Sequence, residues 1–371
     1  MMEAVPAGEF GTEAWDAFVG GADGAWFYHR HEWIEYQLAR RRDLGGRSLA
    51  FAVLRDGRPV AAVPVGIEED GRDGGSVRIG VEGEPCWSPA ISTALTDGER
   101  DDVLRFVMDE TDRLAAVHRA VSSRWRVSAI ARGYEEYLPS FLAATTRSGY
   151  TDVSLCTRVV DLRGGEEAVR RGMSKGHRAA VTRARRQFTT EVESGSSPSF
   201  DAYVTLHRAI AGARARPVET YELMRQWLQE GRGALVVACE EGIPIGFVYL
   251  MIDGAASYYA STAVHDDHRG DPVGHLMLAD AMAWLGRMGV VRFEVGLQQF
   301  PGVPFDRPDA KELGITRFKQ GFGGRLLPWV VREKYYDPTA WRQVTEHRLD
   351  DLDDGWIGPS DVASTDASGP A

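Results

Sequence analysis

The residues best suited to chemistry in this 371-residue chain are cations standing in informative company. Lys319 follows Phe318 and comes two residues before a Gly-x-Gly-Gly turn, Gly321 to Gly324. A lysine so placed presents its ammonium to a phosphate while the aromatic ring packs beneath. Upstream, Arg170 to Gln187 reads RRGMSKGHRAAVTRARRQ, with seven Arg or Lys and no acid. Without those seven charges the remainder of a chain of net charge −11 carries −18. One basic segment on an acidic body suits a local phosphate site better than a general nucleic-acid coat. Lys175, Arg178, Arg183 and Arg186, spaced by three, five and three, share one broad helical face. Such a face clamps phosphates or a carboxylate, or is simply solvated. Arg214 and Arg216, between a helical pattern and Pro217, suit an acidic group.

Other chemistry has weaker support. Tyr258 and Tyr259 are adjacent on a predicted strand, so one faces the groove if the other faces the core. His265 and His268 lack a third ligand cluster, so no metal site is expected. There is no G-x-S-x-G elbow, and Cys86, Cys156 and Cys239 sit beside Trp or in apolar runs, as buried thiols do.

These side chains need a frame, and the chain repeats one. Asp56-Gly57-Arg58-Pro59-Val60 returns as Glu241-Gly242-Ile243-Pro244-Ile245, each between two apolar runs. A duplicated unit places its groove between the copies. In the first half the pattern predicts a helix over 26–40, hairpin strands 48–55 and 59–67, and a strand near 77–81. A helix at 98–119 opened by Thr96 and Asp97, a strand at 124–130, a helix at 134–147 and a strand at 151–162 follow. The second half predicts a basic helix at 166–188, helices at 197–213 and 218–230, and strands 234–240, 244–252 and 255–264. It ends with a helix at 274–288, a strand at 291–295, a helix near 310–320 and a strand at 325–332. The acidic, then Ser/Gly/Asp/Pro-rich residues 346–371 read as a disordered tail.

Composition narrows the class. A hydrophobic fraction of 43% is ample for two cores. No apolar run approaches the roughly 20 residues needed to cross a bilayer. Residues 1–11 carry two Glu and no basic residue, unlike a secretory leader, and three unpaired cysteines suit a reducing compartment. A cytoplasmic protein is expected.

Met173-Ser174-Lys175-Gly176-His177-Arg178 with Arg183-Ala184-Arg185-Arg186 resembles the K-S-x-R-x-x-I-x-K-A helix of FemAB-like proteins. Gly289 to Gly296 (GVVRFEVG) resembles that family's G-x-x-x-F-D-x-G strand. Ile315 to Gly324 (ITRFKQGFGG) is similar to its closing I-x-x-F-K-x-x-F-G-G, the most specific of the three. Trp26 to Trp33 and Pro85 to Ala90 look like its N-terminal landmarks, so the likeness spans about residues 20–335. Two departures stand out. No heptad run interrupts 198–231, and Ser174-Lys175 reverses the usual order.

The resemblance implies an α/β (α+β) architecture of two tandem GNAT-like domains with mixed, largely antiparallel sheets. Their expected bounds are 1–160 and 161–335, the second carrying the basic helix 166–188. It implies an acyltransferase that moves an aminoacyl group from aminoacyl-tRNA to an amine, in a peptidoglycan precursor or a specialised metabolite. It carries a donor-contacting role onto Lys319, with Phe318 and the basic helix on the tRNA 3′ end. Tyr258, Tyr259, Arg214 and Arg216 would line the acceptor groove, and a donor phosphate would serve as base. Simple GNAT enzymes suggest an alternative donor, acetyl-CoA. Their R-x-x-G-x-G/A loop offers N–H groups to pyrophosphate, and here Arg269, Gly270 and Gly274 would belong to it. Pro272 lacks one of those donors. A third possibility is a non-catalytic RNA- or protein-binding module. The aminoacyl-tRNA counts as co-substrate, so no cofactor is implied.

Overall fold

Both copies of the repeated turn close hairpins, for one stereochemical reason. Asp56 and Gly57 have φ of 51° and 76°, and Glu241 and Gly242 have 49° and 84°. Two successive left-handed residues match the twist of the strands they join. The first turn links strands Phe51–Arg55 and Arg58–Val63; the second links Gly233–Glu240 and Ile243–Asp253. The computed structural model describes residues 1–70, 75–301, 303 and 305–354, the side chains of Asp70, Arg214 and 351–354 apart.

Each half continues the same way. A third strand, Ser76–Ile79 or Ala256–Val264, is followed by a long helix, Asp97–His118 or Val273–Arg287. The chain then returns in a strand parallel to the third, Ser122–Arg126 or Arg292–Gln298. Thr96 opens the first of these helices with its hydroxyl on the Glu99 N–H, and Glu99 answers on the Thr96 N–H at 3.0 Å. The two-lobed α/β expectation holds. In the first lobe the hairpin is broken at 49–50 and 64–65, so its outer halves join one sheet and its inner halves another.

Two segments cross the lobe boundary. Thr151–Asp152 pairs with Val331–Tyr335 in the first lobe's large sheet, while Leu155–Asp161 pairs with Arg292–Gln298 and Arg325–Trp329 in the second's. The single strands expected at 151–162 and 325–332 are therefore each divided between sheets. The expected boundary at 160/161 falls inside a second-lobe strand, and the chain's end returns to the first lobe.

The second sheet runs Thr189–Glu193, Gly233–Glu240, Ile243–Asp253, Ala256–Val264, Arg292–Gln298, Leu155–Asp161, Arg325–Trp329. Along Ile243–Asp253 the side chains alternate between two cores. Val248 and Leu250 join the core under the helix Val273–Arg287, on which the helices Gly165–Gly172 and Lys175–Ala184 pack in turn, while Phe247, Tyr249 and Met251 face the first lobe. That second core is continuous across the lobes. Phe27 and Trp227, both fully buried, meet edge-on at 4.9 Å. Arg30 donates to Asp253 Oδ1 at 2.8 and 3.1 Å, and Arg232 pairs with Glu32.

Three further expectations change. The basic segment is two helices broken at Met173–Ser174, because Ser174 caps the second through its hydroxyl on the His177 N–H. The helix expected at 26–40 begins as a turn at Phe27–His29 and is regular over His31–Arg40. Residues 346–354 belong to a helix, Pro338–Asp354, pinned by Arg348 gripping the buried Glu333 carboxylate at 2.6 and 3.0 Å. The rest of the expected tail, 355–371, lies outside the described residues. No described helix is long and apolar enough to cross a membrane.

Candidate functional site

Where the lobes face each other they enclose a cavity of about 410 Å³. The first lobe contributes Tyr28, Trp33, Tyr36, Arg40, Arg41, Glu82, Glu84, Trp87 and Arg126. The second contributes Arg216, Met224, Trp227, Tyr249, Met251, Tyr258, Ala260, Glu294, Leu297 and Trp329. The wall combines aromatic side chains with a dense set of charged ones, four arginines and three glutamates.

Glu294 reaches the cavity because it alternates with Phe293 and Val295, which point into the opposite core. Only 5% exposed, it accepts a hydrogen bond from Thr157 Oγ1 at 2.7 Å. Burial pushes its carboxyl up to about 7, against the opposing pull of the Thr157 hydroxyl, Lys319 and Arg126. The sequence holds a signal for this residue, an acid inside an apolar alternation at Val290, Val291, Phe293 and Val295.

Lys319 comes from the end of the helix Ala310–Gln320 and lies against the same strand. Its ammonium donates to the Leu297 carbonyl at 3.2 Å. Burial draws its pKa down to about 8, opposed by the Glu294 charge. The parallel pairing of Ala256–Val264 with Arg292–Gln298 stops at Tyr258↔Glu294, and beyond it the Lys319 ammonium and the Tyr258 ring both lie against Gly296. Tyr258 is the groove-facing member of its pair, 6.2 Å from Tyr28 between ring centres. Desolvation lifts its phenol to about 12, so it stays a hydrogen-bond donor at neutral pH. Tyr259 packs with the other core and is not part of this cavity.

Arg216 lines the cavity. Its guanidinium meets Met224 Sδ at 3.2 Å and makes no ion pair among the described residues. The side chain of Arg214 lies outside the described ones.

The basic helix is elsewhere. Lys175, Arg183 and Arg186 are exposed on the outer face of the second sheet's helical layer, and Arg178 turns back to cap the Met173 carbonyl. None of the four lines the cavity. The helix touches the site indirectly: His177 Nε2 donates to the Phe318 carbonyl at 2.8 Å, beside Lys319. The cavity's own first-lobe cations, Arg40, Arg41 and Arg126, came from sequence positions with no motif around them.

The loop at Arg269 opens a helix as expected, but it is a poor anion cradle. Arg269 is exposed and paired with Asp266 at 2.8 Å, Pro272 occupies the cap, and Phe318 approaches Gly274. A Cβ on Gly274 would stand 3.6 Å from that ring. The Gly-x-Gly-Gly turn after Lys319 is structural. Gly323 and Gly324 have φ near +80°, and a Cβ on either would meet a backbone carbonyl oxygen at 2.4 or 2.5 Å.

Residues 167–305 match the family described as acetyltransferase (GNAT) domain. No curated protein sequence matches the chain significantly. The fold is similar to that of FemX, with a TM-score of 0.69 at 12% identity, covering 92% of this chain and 100% of that one. It is also similar to the C-terminal domain of a putative lysylphosphatidylglycerol synthetase from Agrobacterium fabrum. There the TM-score is 0.55 at 15% identity, with coverage of 91% and 95%. A tandem GNAT protein from the clavulanic acid biosynthesis pathway aligns with a TM-score of 0.50 at 16% identity, over 91% and 99% of the two chains. With two lobes of one topology and a GNAT acetyltransferase match across the second, this chain has the FemX-like tandem GNAT fold.

Proposed function

We propose that the protein is an N-acyltransferase that joins an aminoacyl group, carried as the ester of a charged tRNA, to a primary amine held between the lobes. The observation that carries this reading is the pair Glu294 and Tyr258 on the wall of the interlobe cavity, with the Lys319 ammonium just behind that wall on the Leu297 carbonyl. An aminoacyl ester is reactive enough for direct attack, so the site needs a base, an oxyanion donor and close positioning.

Glu294 takes a proton from the acceptor ammonium, which a carboxylate raised to about 7 does near neutrality. The freed amine attacks the ester carbonyl, forming the C–N bond. The Tyr258 hydroxyl donates to the developing oxyanion. Collapse breaks the C–O bond, the amine's second proton passes to the departing ribose oxygen, and Glu294 returns its proton to solvent. Lys319 supplies positive charge to the donor's 3′ end. Exposed Lys175, Arg183 and Arg186 offer further contacts to RNA phosphates outside the cavity.

The acyl-CoA alternative has less support, since Pro272 removes a donor and Arg269 is paired with Asp266. The deciding experiment incubates the protein with total charged tRNA or acetyl-CoA and candidate amines, with and without RNase. Amide formation abolished by RNase supports the tRNA donor; product that survives RNase promotes the CoA reading. The absence of amide with either donor sinks catalysis and leaves a binding module. Steep loss of affinity with salt would accompany the RNA donor, and a milder loss would accompany CoA.

A further inference from the structure

Two carboxylates face the cavity from the opposite lobe, and the acyl-transfer chemistry gives neither a task; Glu84 is paired with Arg126 at 3.6 Å, which leaves Glu82. Glu82 sits in the turn Val81 to Glu84, closed by two backbone hydrogen bonds of 2.9 Å. Its φ is +63° and that of Gly83 is +80°. The same pair of left-handed residues closes the hairpins at Asp56-Gly57 and Glu241-Gly242, so the turn fixes where Glu82 stands without itself marking a site. The turn aims the carboxylate inward, leaving its side chain 4% exposed. Arg40 donates to Oε2 at 3.3 Å, and Oε1 is buried with no hydrogen-bond partner. An orphaned carboxylate oxygen beside a ligand cavity asks for a donor. The terminal torsion of Glu is soft, so a small rotation presents that oxygen to an occupant.

Two features say what the occupant carries. Arg216 brings a positive charge into the same cavity and makes no ion pair among the described residues, although it is near enough to feel the Glu82 charge. The wall between is aromatic: Trp33 stacks on Tyr36 at 4.8 Å, and Tyr36 meets Trp227 at 5.1 Å. Aromatic faces hold an alkyl stem and favour a cation at its end. Glu294, on the other lobe, is already engaged with the reacting nitrogen in the scheme above.

We infer that Glu82 binds a second protonated nitrogen of the acceptor, whose acidic group rests on Arg216, so that the acceptor is a small diamino acid acylated at one nitrogen only. This rests on the acyl-transfer reading for the fate of the first nitrogen, and on the cavity alone for the binding of the second.

The test is calorimetric and needs no donor. Lysine, ornithine and 2,4-diaminobutyrate are titrated into the protein beside 6-aminohexanoate, which is lysine without its α-amino group. At least one diamino acid should bind about tenfold more tightly than 6-aminohexanoate. Glu82→Gln should weaken that diamino acid about tenfold and leave 6-aminohexanoate unchanged, with Glu82→Asp intermediate and both variants melting cooperatively. Equal binding of all four, a preference that survives Glu82→Gln, or no binding of any diamino acid overturns the inference. Amide formation on mono-amines without such a preference overturns it while sparing the acyl-transfer reading. A Glu82-dependent preference without amide from any donor does the reverse.

Discussion

A Cβ placed on Gly296 would stand 3.0 Å from the Lys319 ammonium nitrogen and 3.7 Å from the Tyr258 ring. Gly296 has φ of +104°, a conformation L side chains rarely adopt. The missing side chain is thus what lets a lysine from a distant helix lie along the strand that carries Glu294. Gly296→Ala should displace Lys319 and cut turnover about a hundredfold or more, as should Lys319→Ala. Lys319→Ala should keep its circular dichroism and melting profile. Wild-type rates of amide formation in Lys319→Ala would contradict the role assigned to it.

Activity should be bell-shaped in pH. The base works when Glu294 is ionised, so kcat/KM rises through about pH 7, and it falls through about pH 8 as Lys319 loses its proton. The two groups feel each other, so the limbs belong to the pair. Glu294→Gln should lower the rate by two orders of magnitude or more and erase the acid limb. A variant that retains that limb would assign it to another group.

Stability should carry the same signature with a definite sign. Burial raises both Glu82 and Glu294 from 4.5 to about 7, so the folded chain binds more protons than the unfolded one between those values. Stability contributed by each is full below about pH 4.5 and is lost as pH rises to about 7, by at most about 3 kcal/mol each. Glu82→Gln and Glu294→Gln should each flatten the pH dependence of Tm across that window. Unchanged slopes in both would place these carboxyls in water.

The lobes should unfold together. Arg30 and Asp253 form an ion pair across the interface at 2.8 Å, with both side chains mostly buried. Arg30→Ala leaves that carboxylate unpaired and should cost about 2 kcal/mol in chemical denaturation, within one cooperative transition. Two separate transitions in wild type would mean that the shared core does not couple the lobes.

Gly324→Ala tests the motif as architecture. Its Cβ would lie 2.5 Å from the Val159 carbonyl oxygen, so the turn must shift the strand it crosses. A loss of about 2 kcal/mol or more in stability is expected. Full stability with lost activity would instead give the turn a direct part in catalysis.

Much of the frame was legible because local rules wrote it. The Asp-Gly and Glu-Gly turns, the Thr96 cap and the helices at 134–147 and 310–320 follow from positive φ, capping and period, which neighbours along the chain decide. Lys319 was singled out by a motif, Tyr258 by strand parity as one of two candidates, and Arg216 only by its place before Pro217. The strand exchange at 151–161 and 325–335 was not legible, since a continuous apolar run does not say which sheet each end joins.

The cavity's first-lobe half was equally hidden. Glu82, Arg126 and Trp87 sit in a loop, a strand and a two-residue bridge with no shared spacing, and Arg126 meets Trp87 at 4.0 Å only once the strands align. Conversely, four well-spaced basic residues on one helix read as a site, and packing put them outside. The chain's local chemistry settled which residues carry charge and which segments turn or coil. Which charges share a dry cavity was settled by sheet pairing between residues far apart, because burial and mutual distance, not identity, shift a carboxylate or an ammonium toward neutrality.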